Sequence, residues 1–491
     1  GLLSAHPALI SPSTPFPRSS LPQPMRRNSL QFPLGANYAR FSTAIDNWWP
    51  HTTETFHTLH SATKSFVGTA VGFAVAENLV KLDDKVMAFF PEFVPGNTSE
   101  HLAAMTIADL LTMRSGHEFG LSGGEWRLLK TSWVAQFFKA AVTRPPGQSF
   151  IYSSASSHIL SAIVQRASGA KVRDFLEPRL FGPLGITDLV WDDDPDGISA
   201  GGNGLKLKLA DFLKWGIVHL QGGVWDGKQV VPAAWIKAAV QPHVPNIAAS
   251  VFDGKRYQRT PEKAEIREGY GYHIWCGPDS SYYASGMFGQ KCVVLPRQNA
   301  VVAINAAMPN DRNQQMLRAL FDTLLGAGDE PDLELGRLGR TVRAVAADQP
   351  AVHNQPGDAW KQIEGNWHLE PNVDGLEALN VKVEDDGVKV AFSDKRGENA
   401  LVAGFCGWRS GASGISTGAL HHSYQEDAAL VRAAAYEHQG KLIIDCYFVE
   451  TPFLDTFTFC DGDGSELYIE RKVNINGGPT SRPLYRAHRV G

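Results

Sequence analysis

The sequence predicts an α+β domain, with helices packed on an antiparallel sheet, followed by a separate all-β barrel. Three observations carry this expectation. Between residues 36 and 335 helical periodicity alternates with short apolar runs. From residue 359 onward apolar residues recur at every second position. A charged, Ala-rich stretch at 336–358 separates the two patterns and reads as a linker.

Taken in order, residues 1–35 carry Pro12-Ser13-Thr14-Pro15 and Pro22-Gln23-Pro24, the composition of an extended N-terminal arm. From Ser61 to Leu79, Val67, Ala70, Val71 and Ala74 recur at helical spacing. Val293-Val294-Leu295 and Val301-Val302-Ala303-Ile304 flank a Pro296-Arg297-Gln298-Asn299 turn, as two antiparallel strands would. In the last region Leu379, Val381 and Val383 alternate, Asp385-Asp386-Gly387 turns, and Val388, Val390 and Phe392 alternate again. Glycine there is expected to supply a positive φ. Similar units are Leu442-Ile443-Ile444 after Gln439-Gly440, and Phe457 to Cys460 before Asp461-Gly462-Asp463-Gly464. The last run lacks the remaining ligands of a calcium loop and reads as a turn.

The composition narrows the function classes. Forty-six basic residues against fifty-one acidic ones give a net charge of −5 without a dense basic run, which argues against a nucleic-acid partner. Met25-Arg26-Arg27 reads as solvated surface. Five cysteines, an odd number without C-x-x-C spacing, point away from zinc ribbons and redox motifs and leave the disulfide state open. No run is apolar for long enough to span a bilayer. The first residues lack a signal-peptide profile, and a periplasmic, secreted or cytoplasmic location stays open, as does the oligomeric state.

The chemistry concentrates in two places. Ser61-Ala62-Thr63-Lys64 opens the apolar helix. A serine hydroxyl is a weak nucleophile without a base in hydrogen-bond reach. Residues i and i+3 share one helix face, so Lys64 is expected beside Ser61, lowered in pKa by burial. Pro145-Pro146-Gly147-Gln148-Ser149-Phe150-Ile151-Tyr152-Ser153-Ser154 turns rigidly into an extended segment ending on Tyr152. A tyrosine beside a lysine can act as a general base.

Together these pieces resemble the serine hydrolase superfamily of penicillin-binding proteins and class C β-lactamases, with its S-x-x-K, Y-x-N and K-T-G or H-x-G motifs. The resemblance covers roughly residues 36 to 330. Thr106-Ile107-Ala108-Asp109-Leu110-Leu111-Thr112-Met113-Arg114-Ser115-Gly116, Gly201-Gly202-Asn203-Gly204-Leu205 and Gly222-Gly223-Val224-Trp225-Asp226-Gly227-Lys228 add to it. It implies a β-lactamase-like fold, an acyl-enzyme on Ser61 and proton transfer by Lys64 and Tyr152, with no cofactor or metal. The third motif falls on Tyr283-Ala284-Ser285-Gly286-Met287. Ser285, Gly286 and Met287 form its candidate site, and the backbone N–H groups of Ser61 and Met287 are the implied oxyanion donors. Two positions depart from the pattern. Ala284 stands where the family has Lys or His, and Ser154, the candidate substrate-binding residue, stands where it has Asn. Losing that cation argues against β-lactamase or D,D-transpeptidase activity. The pattern is closer to the esterase and amidase branches, including 6-aminohexanoate-dimer hydrolases.

Other matches weigh less. Gly414-Ile415-Ser416-Thr417-Gly418 fits a nucleophile elbow, but lacks the strand–helix context it needs. His51, His57 and His60 lack metal-ligand spacing and read as the strand leading to Ser61; His421-His422 reads as surface. Gln362-Ile363-Glu364-Gly365-Asn366-Trp367 resembles the start of the lipocalin-like barrels appended to some peptidase relatives, a domain that could shape the mouth of the site. The expected function is amide or peptide hydrolysis on a small-molecule or peptide substrate. A carboxylesterase is second, and a non-catalytic binding protein retaining the fold is third.

Overall fold

The computed structural model describes residues 50–490 except 95, 123, 246, 253–255, 264–267, 310–311, 326–357, 423–427 and 463. The arm at 1–35, with Met25-Arg26-Arg27, lies outside the described residues, as do Asp463 and all of the 336–358 linker but its last residue.

The first domain is built around helix α1 (Thr63–Ala76), in which every residue from Thr63 to Ala74 is buried. A helix apolar all round belongs inside a domain, and α1 is enclosed on all sides. It begins two residues after Ser61, which lies in the preceding 3₁₀ turn, His60–Ala62. Strand β1 (Phe56–Thr58) leads into that turn and pairs antiparallel with β2 (Leu205–Lys208), which also pairs with Val190–Trp191. Helix α2 (Ser154–Ser168) packs on α1. Ser153 caps it with its hydroxyl, and Gly169 ends it at φ 76°.

The main sheet has six antiparallel strands: β3 (Val244–Pro245), β4 (Gly269–Tyr270), β5 (Trp275–Cys276), β6 (Tyr282–Ser285), β7 (Lys291–Leu295) and β8 (Ala300–Ile304), joined in chain order. Its faces follow the strand period of two. Tyr282, Ala284, Cys292 and Val294 point into the core shared with α1 and with α3 (Leu209–Leu220). Tyr283, Val293 and Leu295 point to the other side, against Leu317, Leu320, Phe321 and Leu324 of α4 (Asn313–Leu325).

The second domain is a closed barrel. Its strands are β9 (Gly365–Leu369), β10 (Ala378–Glu384), β11 (Gly387–Asp394), β12 (Gly397–Gly404), β13 (Arg409–Ser413), β14 (Ala429–His438), β15 (Lys441–Phe448), β16 (Leu454–Asp461), β17 (Glu466–Val473) and β18 (Tyr485–Arg489). Nine of them close in the order β12-β11-β10-β9-β18-β17-β16-β15-β14. β13 pairs with the first half of β14, and a parallel bridge from Gly404 to Ala434 completes the ring. Trp360, Trp367, Phe392, Phe405, Phe457 and Phe459 fill the interior. Gln439 and Gly440, at φ 53° and 72°, form a two-residue turn between β14 and β15. Gly387 works differently from the expectation. It does not take a left-handed φ but pairs with Glu384, and a Cβ there would come within 2.4 Å of the Ala403 carbonyl oxygen. The requirement is close approach of β12, not turn conformation.

The two domains share a core. Phe288, in the turn after β6, belongs to the barrel's apolar cluster and packs edge-on against Phe453 with centroids 5.6 Å apart. The Thr58 N–H donates to the Glu450 carbonyl at 2.8 Å, and Lys206 pairs with the Glu450 carboxylate at 3.0 Å.

Candidate active site

Ser61 is half-buried in a turn whose preceding residue, His60, sits at φ 47°, a left-handed conformation costly for a side chain of that size. The 3₁₀ geometry brings residues three apart into line. The Lys64 amine donates to Ser61 Oγ at 3.0 Å, to Ser154 Oγ at 3.1 Å and to the Gly202 carbonyl at 2.7 Å. Lys64 is 1% exposed, and among the described residues no carboxylate pairs with it. Burial first, and the charge of Arg127 second, hold its pKa well below the ordinary lysine range.

Each partner is placed by a feature visible in the chain. Gly147, at φ 82°, turns the Pro-Pro-Gly segment back on Arg114, whose guanidinium donates to the Gly147 carbonyl at 2.9 Å. The Ile151 N–H donates to the Met113 carbonyl at 2.8 Å, which fixes the run to Ser154. Tyr152 is 4% exposed and stacks on Trp275 at 5.5 Å, with the Lys64 amine 4.9 Å from its ring centroid. The Ser154 N–H donates to Ser122 Oγ at 2.9 Å. The glycine pair aims the third acceptor. A Cβ on Gly201 would come within 2.3 Å of the Ser157 carbonyl oxygen, and one on Gly202 within 2.7 Å of Ser154 Cβ.

The third motif closes the opposite wall. A Cβ on Gly286 would meet the Leu59 carbonyl oxygen at 2.1 Å, so only glycine lets β6 lie this close to the turn that carries Ser61. Ser285 and Met287 flank that contact at the end of β6. Ala284 is fully buried in the main core, its place taken up by packing.

Sequence reasoning missed four contributors. Lys291, 2% exposed, lies opposite Ser285 on β7 and donates to the Gly286 carbonyl at 3.0 Å. A lysine opening the apolar run Lys291-Cys292-Val293-Val294-Leu295 was the available signal. Arg127, with its side chain 8% exposed, donates to the Asn203 carbonyl at 3.4 Å and stands 3.7 Å from Asp192. Phe288 lies 5.3 Å from the His60 ring. His422 belongs to the barrel, 6.2 Å from His60 and 5.7 Å from Phe288. The surface reading of His421-His422 is corrected here. His421 is 1% exposed and bound to Asp455, and His422 is packed into the interface, because the loop that carries them folds in between the domains. Burial lowers His60 well below the usual imidazole range, with His422 next. Burial, then Arg127 and Lys64, lowers His422 to about 3.

Ser416 is buried in an irregular loop, and the described residues that follow it, 417–422, form a turn and not the helix of a nucleophile elbow. No cluster of metal-ligating side chains occurs among the described residues. Nor is any helix there long and apolar enough to cross a membrane.

A family model described as Beta-lactamase matches residues 36–325. The 6-aminohexanoate-dimer hydrolase of Paenarthrobacter ureafaciens is 24% identical over 273 residues, which are 52% of this chain and 67% of that protein. An uncharacterized protein of Alkalihalophilus pseudofirmus is 25% identical over 274 residues, 51% of this chain and 73% of its own length. The solved octameric penicillin-binding protein homologue from Pyrococcus abyssi aligns over 89% of both chains at 18% identity, with a TM-score of 0.42.

Proposed function

The chain belongs to the Beta-lactamase family of serine hydrolases, and from that premise we propose that it cleaves an amide or peptide bond through an acyl-enzyme on Ser61. The observation that carries this reading is Lys64. A buried amine without a carboxylate partner among the described residues, 3.0 Å from a serine hydroxyl and with its pKa lowered by burial, is placed to serve as that serine's base.

In this reading Lys64 takes the Ser61 proton as Oγ attacks the carbonyl. The Ser61 and Met287 N–H groups hold the oxyanion. The C–N bond then breaks, and the departing amine takes the proton from Lys64, directly or through Tyr152. Water attacks the acyl-enzyme, leaving a carboxylic acid and returning a proton to Ser61. Ser154 Oγ accepts from the Lys64 amine at 3.1 Å and helps to hold it. The name of the Paenarthrobacter relative, an amide hydrolase, favours amides. A carboxylesterase is the second reading, favoured by the buried Ala284, which offers no cation to a substrate from that place on β6.

The test is intact-protein mass spectrometry after fluorophosphonate treatment, with Ser61→Ala alongside. One adduct, lost in the variant, supports an activated Ser61. No adduct on folded protein overturns the hydrolase reading in favour of a binding role. Rates on matched amide and ester substrates then decide between the two hydrolases.

A further inference from the structure

Two residues with ring side chains stand in the left-handed region of the backbone beside the proposed reacting groups. His60, at φ 47°, immediately precedes Ser61, and Phe288, at φ 60°, immediately follows Met287. Each therefore adjoins one of the two N–H groups to which the mechanism assigns the oxyanion. Such a conformation is costly for a residue with a large side chain and persists only where its surroundings over-determine it.

The surroundings that do so include the barrel. The two rings meet edge-on at 5.3 Å, and Phe453 lies edge-on to both, 5.6 Å from Phe288 and 6.4 Å from His60. All three side chains are buried. Phe453 ends the turn 449–453 between β15 and β16, which is tied internally. The Phe448 N–H donates to the Phe453 carbonyl at 3.0 Å, the Thr451 hydroxyl to the Phe448 carbonyl at 2.9 Å, and the Phe453 N–H to Thr451 Oγ1 at 3.2 Å. His421, held by Asp455, stacks on the Phe453 ring at 4.9 Å. The same turn reaches the strand that leads to Ser61, since the Glu450 carbonyl accepts the Thr58 N–H. The first domain fixes the carbonyls of the third-motif turn: Gln290 Nε2 donates to that of Met287 at 3.1 Å, and the Met308 N–H to that of Phe288 at 2.9 Å. The Phe288 ring, by contrast, lies in the barrel's apolar cluster.

We infer that Phe453 is a positioning residue for the oxyanion site: by seating the His60 and Phe288 rings together, it holds the backbone that carries the Ser61 and Met287 N–H groups. The inference rests on the hydrolase reading and deepens it, because it makes a barrel turn part of the machinery that stabilises the transition state.

The full chain is tested by the second-order rate of fluorophosphonate inactivation, in which Ser61 Oγ bonds to phosphorus, fluoride leaves and the phosphoryl oxygen takes the oxyanion place. Phe453→Ala should slow that rate by about tenfold or more, toward the roughly 10²–10³-fold cost of losing an oxyanion donor. The acid limb of its pH profile, with Lys64 as base, should not move. Phe453→Leu keeps most of the buried volume and should show a smaller loss, with Tm near that of the wild type. Phe459→Ala, which opens a cavity beside Trp360 toward the far end of β16, should lower Tm and leave the rate unchanged. His60→Gly, for which a left-handed φ carries no steric cost, should react faster than His60→Ala, which keeps the strain and loses the ring. Equal rates in Phe453→Ala and the wild type, losses in Phe453→Ala and Phe459→Ala that both follow Tm, or the reverse order at His60, overturn the inference and leave the hydrolase reading standing. Absence of an adduct on the folded wild-type protein overturns both.

Discussion

Two buried cations, one in each domain, are treated in opposite ways. In the barrel, Arg471 donates to Asp455 through Nε at 2.8 Å and Nη2 at 2.6 Å, and His421 Nε2 meets the other carboxylate oxygen at 2.8 Å. The Thr417 N–H donates to His421 Nδ1 at 3.3 Å, so Nε2 bears the proton and donates to Asp455. Burial alone would raise Asp455, but the Arg471 charge and the hydrogen bonds from His421 and Arg471 hold it below its usual value. In the first domain Lys64 is as deeply buried but has only neutral oxygens around it. A paired buried charge keeps its ionised form and fixes structure, whereas an unpaired one sheds its charge and becomes reactive. The barrel network ties down Ile415, Thr417 and His421, and so sets the loop that delivers His422 to the site.

The comparison breaks most visibly at Lys64. Lys64→Met should lower kcat/KM by roughly 10²–10⁴-fold without lowering Tm in a thermal melt, because the side chain is held against its own hydration. With Lys64 as the proposed base, the wild-type kcat/KM should rise with pH to a plateau, since the amine is protonated when pH falls through its lowered pKa. That acid limb should be missing from the residual activity of Lys64→Met. Stability carries the same sign. The unfolded chain binds the Lys64 proton more tightly than the fold does, so the penalty shrinks as pH rises toward about 10.4.

Asp455→Asn should do the reverse, costing about 3–5 kcal/mol of barrel stability by stranding Arg471, as read by denaturant unfolding. In the wild-type protein the Asp455 contribution is present above about pH 3.9 and lost as pH falls through its lowered folded value. Phe288→Ala, which empties the shared core, should cost about 3 kcal/mol. It should also reduce turnover, because the same ring supports His60. His422→Ala should have the smallest effect. A change in kcat/KM within about tenfold, with unfolding unchanged, would place His422 at the edge of the site; a loss as large as that of Lys64→Met would place it among the reacting groups.

Much of this arrangement is local and therefore legible along the chain. Ser61 and Lys64 meet because three residues make one turn, and the packing glycines at 201–202 and 286 stand where backbone must approach backbone. The alternation from Leu379 to Phe392 specifies a hairpin because each apolar side chain must face one interior. At Asp385-Asp386-Gly387 the turn stands where the alternation places it, but turn and close packing both call for glycine, and only β12 shows that packing is the reason for Gly387.

What the amino-acid order determined, then, is the pair Ser61 and Lys64, the strands and the two-domain division of pattern, since each follows from short-range geometry and periodicity. Only the tertiary structure decided that Lys64 has no carboxylate among the described residues, that Lys291 reaches Gly286, that Arg127 reaches Asn203, and that Phe288 and His422 pack beside His60. Burial and charge pairing belong to the assembled core, where residues distant along the chain exclude water together, and no local spacing encodes them.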